Sequence, residues 1–91
     1  MEKEQCKKVI EALLFITDGP ITIKKFKDVT DESADTVKEL IAEIAQEYDS
    51  RSSALFVKEV ADGFQMATRQ EYGEWIKKLY LTSRKTSIPL G

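Results

Sequence analysis

The chain has no histidine and a single cysteine, Cys6, among its 91 residues. Those two absences remove most transition-metal sites, which draw on imidazole and thiolate. They also remove Ser-His-Asp and Cys-His nucleophile arrangements and any disulfide framework. The lack of disulfides fits a reducing compartment. No apolar run reaches the 18 residues that would cross a bilayer, and Met1–Lys8 is charged and leads straight into an amphipathic pattern rather than a signal-peptide core. A cytoplasmic protein without a membrane contact is therefore expected. Glycine numbers only four, with no Gly-rich phosphate loop. The formal net charge of −2 provides no cationic excess to draw nucleic acid or an anionic membrane. Carboxylates are plentiful, but no pair of them lies in a pocket-forming context, so general acid–base catalysis has no support and no enzyme, cofactor or metal is expected.

What remains is an ordinary globular composition, 42% apolar and 33% charged, in a length that makes one domain. A chain of this size buries roughly 60–65% of its unfolded surface, enough for one core without covalent staples. The apolar spacing predicts a first helix over 3–17, stopped by Asp18-Gly19-Pro20 with Gly19 suited to the left-handed position after a helix. Ile21 is expected in a strand of one or two residues. Thr22 caps a short helix over 23–29 that turns Ile23 and Phe26 inward. After Thr30-Asp31-Glu32, with Ser33 or Asp31 as cap, a third helix follows: Val37, Leu40, Ile41, Ile44 and Tyr48 make one buried stripe.

Two β-rich runs, 55–60 and 64–68, flank Asp62-Gly63, a strong hairpin signal. With those two residues as the loop, Ala61 faces Phe64, Glu59 faces Met66 and Val57 faces Thr68. Leu55, Val57, Phe64 and Met66 form the core side, while Val60 on the opposite face points to a bulge or a partly covered outer surface. Thr68-Arg69-Gln70-Glu71 reads as a capping box opening a last helix, whose stripe Tyr72, Trp75, Ile76 and Leu79 is assigned to the core. Residues 1–81 thus form the domain, and 82–91 reads as a linker or tail of a chain cut before a second domain. The order helix, short strand, helix, helix, hairpin, helix is an α+β, mostly α, winged helix-turn-helix: a three-helix core, a short β-hairpin wing and a C-terminal helix.

That architecture invites a DNA-binding transcriptional regulator as one reading. The third helix argues against it, because Asp35, Glu39, Glu43, Gln46 and Asp49 occupy its outer face with Lys38 as the lone cation. A recognition helix needs Arg, Lys, Asn or Gln on base edges and cations near phosphates. The wing tip, Ala61-Asp62-Gly63, has no cation either, and Lys24, Lys25 and Lys27 read as surface charge. No direct specific DNA binding is expected, and the acidic face reads as solvated.

The first helix points elsewhere. Cys6, Val9, Ile10, Ala12, Leu13, Leu14 and Ile16 span roughly 200°, about twice the stripe a surface helix needs. Either this helix is central in the core, with Phe15 folded against Ile21, or a second chain covers part of the arc around Ile10 and Leu14. A homodimer satisfies the second reading. Candidate interface residues are Ile10, Leu14, Phe15, Phe64, Tyr80 and Leu81, and Cys6 is taken as a small core residue.

Three stretches carry a likeness to a known family: Ile10-Glu11-Ala12-Leu13-Leu14-Phe15 leading to Asp18-Gly19-Pro20-Ile21-Thr22, the acidic helix up to Tyr48, and Val60-Ala61-Asp62-Gly63-Phe64-Gln65-Met66-Ala67-Thr68 followed by Glu71-Tyr72. On these the chain resembles the N-terminal half of the bacterial segregation and condensation protein B family. The resemblance implies the first of two tandem winged-helix domains, homodimerisation and no enzymatic activity. It further implies binding of the kleisin subunit (segregation and condensation protein A), which bridges the structural maintenance of chromosomes ATPase.

Overall fold

A computed structural model describes residues 1–82. Helix α1 spans Lys3–Ile16, followed by strand β1 at Ile21–Thr22, α2 at Ile23–Thr30 and α3 at Ala34–Ser50. Strands β2 (Leu55–Val60) and β3 (Gly63–Thr68) form the wing, and a 3₁₀ turn at Gln70–Tyr72 leads into α4, Gly73–Thr82. The three strands form one antiparallel sheet in the order β1-β3-β2. This is the winged helix-turn-helix expected. Thr82 closes α4, and the rest of the expected linker lies outside the described residues.

Local chemistry explains most boundaries. Helix α1 ends where Thr17 turns extended, its backbone N–H and its hydroxyl both donating to the Leu13 carbonyl. Gly19 does not take the left-handed conformation expected of it. Thr22 caps α2 by accepting from the Lys25 N–H at 3.1 Å. Asp31 ends α2 in the left-handed region, φ 59°, a conformation that Asp tolerates better than most residues. That leaves Ser33 as the cap of α3, accepting from the Thr36 N–H at 3.1 Å.

The core gathers Cys6, Ile10 and Leu14 from α1, Ile21 from β1, Phe26 from α2 and Val37, Leu40, Ile41, Ile44 and Tyr48 from α3, all buried. Leu55, Val57, Phe64 and Met66 of the wing pack against it from one side, as the alternation requires. The pairing differs from the sequence expectation: Val60 faces Gly63, Glu59 faces Phe64 and Val57 faces Met66. The loop residues are therefore Ala61 and Asp62, with Ala61 at φ 41°, the positive φ that a primed hairpin turn places at its first central residue. A two-residue slip preserves which side each residue faces, so the core side survives the error.

Gly63 is released from the turn for a different task. It faces Thr22 across β1, and a Cβ on it would lie 2.4 Å from the Ile21 carbonyl oxygen. Glycine is what lets β1 lie against β3.

Helix α4 departs most from expectation. Thr68 belongs to β3 and makes no capping box. Arg69 precedes the 3₁₀ turn without a side-chain cap, and the Arg69 N–H donates to the Ala54 carbonyl instead. The stripe assigned to the core is largely uncovered: Tyr72 is 38% exposed, Trp75 62% and Leu79 49%, Ile76 alone is partly buried, and α4 has no fully buried residue.

Candidate protein interaction surface

Ion pairs account for the acidic outer edge of α3. Lys3 Nζ lies 2.8 Å from Glu39 and 3.9 Å from Glu43, while Lys7 Nζ lies 3.3 Å from Glu43 and also bonds Glu47. Lysines one turn apart on α1 thus interleave with glutamates one turn apart on α3. Donating to the Glu39 and Glu47 carboxylates holds the two lysine ammonium groups above their ordinary pKa. The last acidic position, Asp49, accepts from Arg69 Nη2 at 2.8 Å, and Arg69 also donates to the Ser53 carbonyl and sits over the Phe56 ring. Sequence reading left this face solvated. Helical wheels treat one helix at a time, and the pairing depends on α1 and α3 lying side by side.

Tyr48, at the inner end of α3, donates to Glu11 Oε2 of α1 at 2.5 Å under the guanidinium of Arg51, 4.4 Å from the ring centre. Burial, reinforced by the Glu11 carboxylate, raises its phenol pKa above the ordinary value. Burial likewise pushes the Cys6 thiol up, as expected of a packing residue rather than a nucleophile. Among the described residues, no group of three His, Cys, Asp or Glu side chains converges on a point that could hold a metal. Nor is any helix among them long and apolar enough to cross a membrane.

The candidate interface residues separate into two sets. Ile10 and Leu14 are 0% and 1% exposed, so the domain's own core consumes them and they cannot meet a second chain. The reason is geometric: α1 is covered along the single row Cys6–Ile10–Leu14, and the uncovered part of its wide apolar arc lies elsewhere, at Ile16 (62% exposed), beside Phe15 (60%). Phe15 does not fold against Ile21. Phe64 is half-buried and packs against the core. Tyr80 and Leu81 are exposed on α4 together with Trp75 and Leu79.

Two apolar surfaces result. One is α4. The other is a groove of about 400 Å³ between the end of α1 and α2, with Leu13, Pro20, Ile21 and Val29 in its walls and Lys25 at its edge. Sequence reading missed the groove because Leu13 and Val29 lie on different helices, and only the exposed position of Val29 beside the buried Phe26 hinted at it.

This architecture has close counterparts. The family model of the segregation and condensation complex subunit ScpB matches residues 8–90. The segregation and condensation protein B of Syntrophotalea carbinolica is 34% identical over 88 residues, 97% of this chain and 44% of that protein. Its counterpart in Desulforamulus reducens is 33% identical, covering 89% of this chain and 45% of its own length. The chain thus spans less than half of these two relatives. ScpB from Mycobacterium tuberculosis superposes with a TM-score of 0.86 at 26% identity, over 98% of this chain and 56% of that one. A dimer of the ScpB N-terminal domain complexed with ScpA peptide superposes with a TM-score of 0.76 at 27% identity, over 84% of this chain and 95% of that one. With the family model matching nearly the whole of this chain and relatives more than 30% identical, the chain belongs to the ScpB family of segregation and condensation complex subunits.

Proposed function

We propose that this domain is a non-enzymatic interaction module of a cytoplasmic chromosome segregation and condensation complex. It pairs with a second copy of itself and holds a segment of the kleisin ScpA, through which it connects to the structural maintenance of chromosomes ATPase. The observation that carries this reading is the uncovered apolar stripe of α4, in a chain that covers 95% of an ScpB N-terminal domain solved as a dimer with ScpA peptide. Exposed Tyr72, Trp75, Leu79 and Tyr80 are together costly to leave in water and mark a contact surface.

The same reading disfavours duplex DNA as the ligand. Most carboxylates of α3 are already engaged by Lys3, Lys7 and Arg69, and the wing tip offers Ala61 and Asp62, so no array of free cations faces outward there. The test is co-purification of this chain with an ScpA fragment, with and without Leu79→Glu. Retention by the parent chain and loss with the variant are expected. Equal retention by both would remove α4 from the contact, and no retention by either would remove the kleisin.

A further inference from the structure

Helix α4 and the α1–α2 groove match each other in character. The 3₁₀ turn and the start of α4 set two aromatic rings among carboxylates, in the order Glu71, Tyr72, Gly73, Glu74, Trp75. Neither glutamate has an ion-pair partner among the described residues. The groove has apolar walls at Leu13, Pro20, Ile21 and Val29, with exposed Ile16 one turn beyond Leu13 on α1, and a cationic edge at Lys25. Lys25 also has no carboxylate within ion-pair distance among the described residues, whereas Lys24 is held by Asp28 at 3.1 Å. One surface is an apolar knob flanked by negative charge, and the other is an apolar slot edged by positive charge.

We infer that α4 of one copy docks, with Trp75 leading, into the α1–α2 groove of a second copy, and that the exchange is reciprocal. The inference rests on the dimer reading above and names its surfaces. Reciprocal exchange closes under a two-fold axis, so it ends at two chains instead of propagating. It also covers both exposed clusters at once. A direct α4-to-α4 contact would leave Ile16, Val29 and the lysine edge uncovered and would give Glu71 and Glu74 no opposite charge. The area is of the right order: aromatic side chains bury about 150–250 Å² each, and the partial exposures of Tyr72, Trp75, Leu79, Tyr80, Ile16 and Val29 together reach several hundred Å² per copy, against about 800 Å² per partner in a stable interface.

Trp75 is the only tryptophan in the chain, which makes the test direct. Trp75→Glu and Val29→Glu alter residues that are 62% and 49% exposed, so both variants are expected to retain the parent circular dichroism. Each should sediment as a monomer at a concentration where the parent chain is a dimer. The Trp75→Glu chain has an intact groove and no tryptophan, while the Val29→Glu chain has an intact α4 and a spoiled groove. Titrating the first into the second should blue-shift the emission of the single remaining Trp75 and produce a heterodimer, weaker than the parent because one of the two contacts survives. If Val29→Glu loses its fold, Ile16→Glu repeats the experiment from the α1 side of the groove. A parent dimer that Val29→Glu and Ile16→Glu leave intact, or a mixture that stays monomeric with unshifted emission, overturns the groove assignment while leaving dimerisation standing. A parent chain that is monomeric at high micromolar concentration overturns the dimer reading and the inference with it.

Discussion

Replacing Gly63 by alanine isolates one methyl group whose cost is set by a backbone that cannot move aside. The added Cβ would lie 2.4 Å from the Ile21 carbonyl oxygen, 2.9 Å from the Ile21 carbonyl carbon and 3.2 Å from the Thr22 nitrogen. Relief requires β1 to withdraw by most of an ångström, and β1 has only two residues with which to hold on to β3. Over-packing of this kind costs about 1–3 kcal/mol, and each β1–β3 hydrogen bond loosened adds about 1 kcal/mol. A loss of about 2–4 kcal/mol follows, or roughly 10–25 °C in Tm for a domain of this size.

Gly73 provides the matched control. It sits at φ −60° and ψ −33° with nothing within 4 Å of a new Cβ. Gly73→Ala should therefore stabilise by about 0.4–1 kcal/mol by restricting the unfolded chain. Urea denaturation of both variants beside the parent measures the difference. A Gly63→Ala chain within 0.5 kcal/mol of the parent would refute the close approach of β1 to β3 and the register that depends on it.

Three further outcomes follow from the same packing. Leu14→Ala, at a position 1% exposed, should cost about 2–5 kcal/mol in chemical denaturation, whereas Phe15→Ala beside it, 60% exposed, should stay within about 0.5 kcal/mol. Equal effects would mean that α1 is rotated from the orientation described. Tyr48 has its pKa raised in the fold, so the stability it contributes is complete below its unfolded value of about 10 and is lost as pH rises through the higher folded value. Tyr48→Phe should cost about 0.5–1.5 kcal/mol at neutral pH, from the lost bond to Glu11, and should flatten the decline of stability above pH 10. Duplex DNA at near-physiological ionic strength should not be shifted by the domain, and a salt-dependent shift would reinstate the nucleic-acid reading.

The elements were legible because each is written locally. Thr22 and Ser33 cap their helices, the i, i+3, i+4 stripe of α3 is continuous, and the wing alternates with period two. The register of the wing was not, because Asp62-Gly63 is read as a turn on its own terms, while the structure spends Gly63 on pairing with Thr22 of β1, 41 positions away in sequence. The interface was half legible for a related reason. Periodicity reveals that a helix has an apolar side but not what covers it: the stripe of α1 at Ile10 and Leu14 is closed by the core, whereas in the equally periodic last stripe Tyr72, Trp75 and Leu79 stay exposed and Ile76 alone is partly covered. The pairing of Lys3 and Lys7 with the α3 glutamates escaped for want of any one-helix signal.

Sedimentation equilibrium of the chain alone and with an ScpA fragment decides whether this domain pairs with itself while holding a kleisin segment. A mass of two chains is expected at micromolar concentration and, with the fragment, a complex that still contains two copies. A strict monomer at high micromolar concentration, both alone and with the fragment, would contradict that pairing.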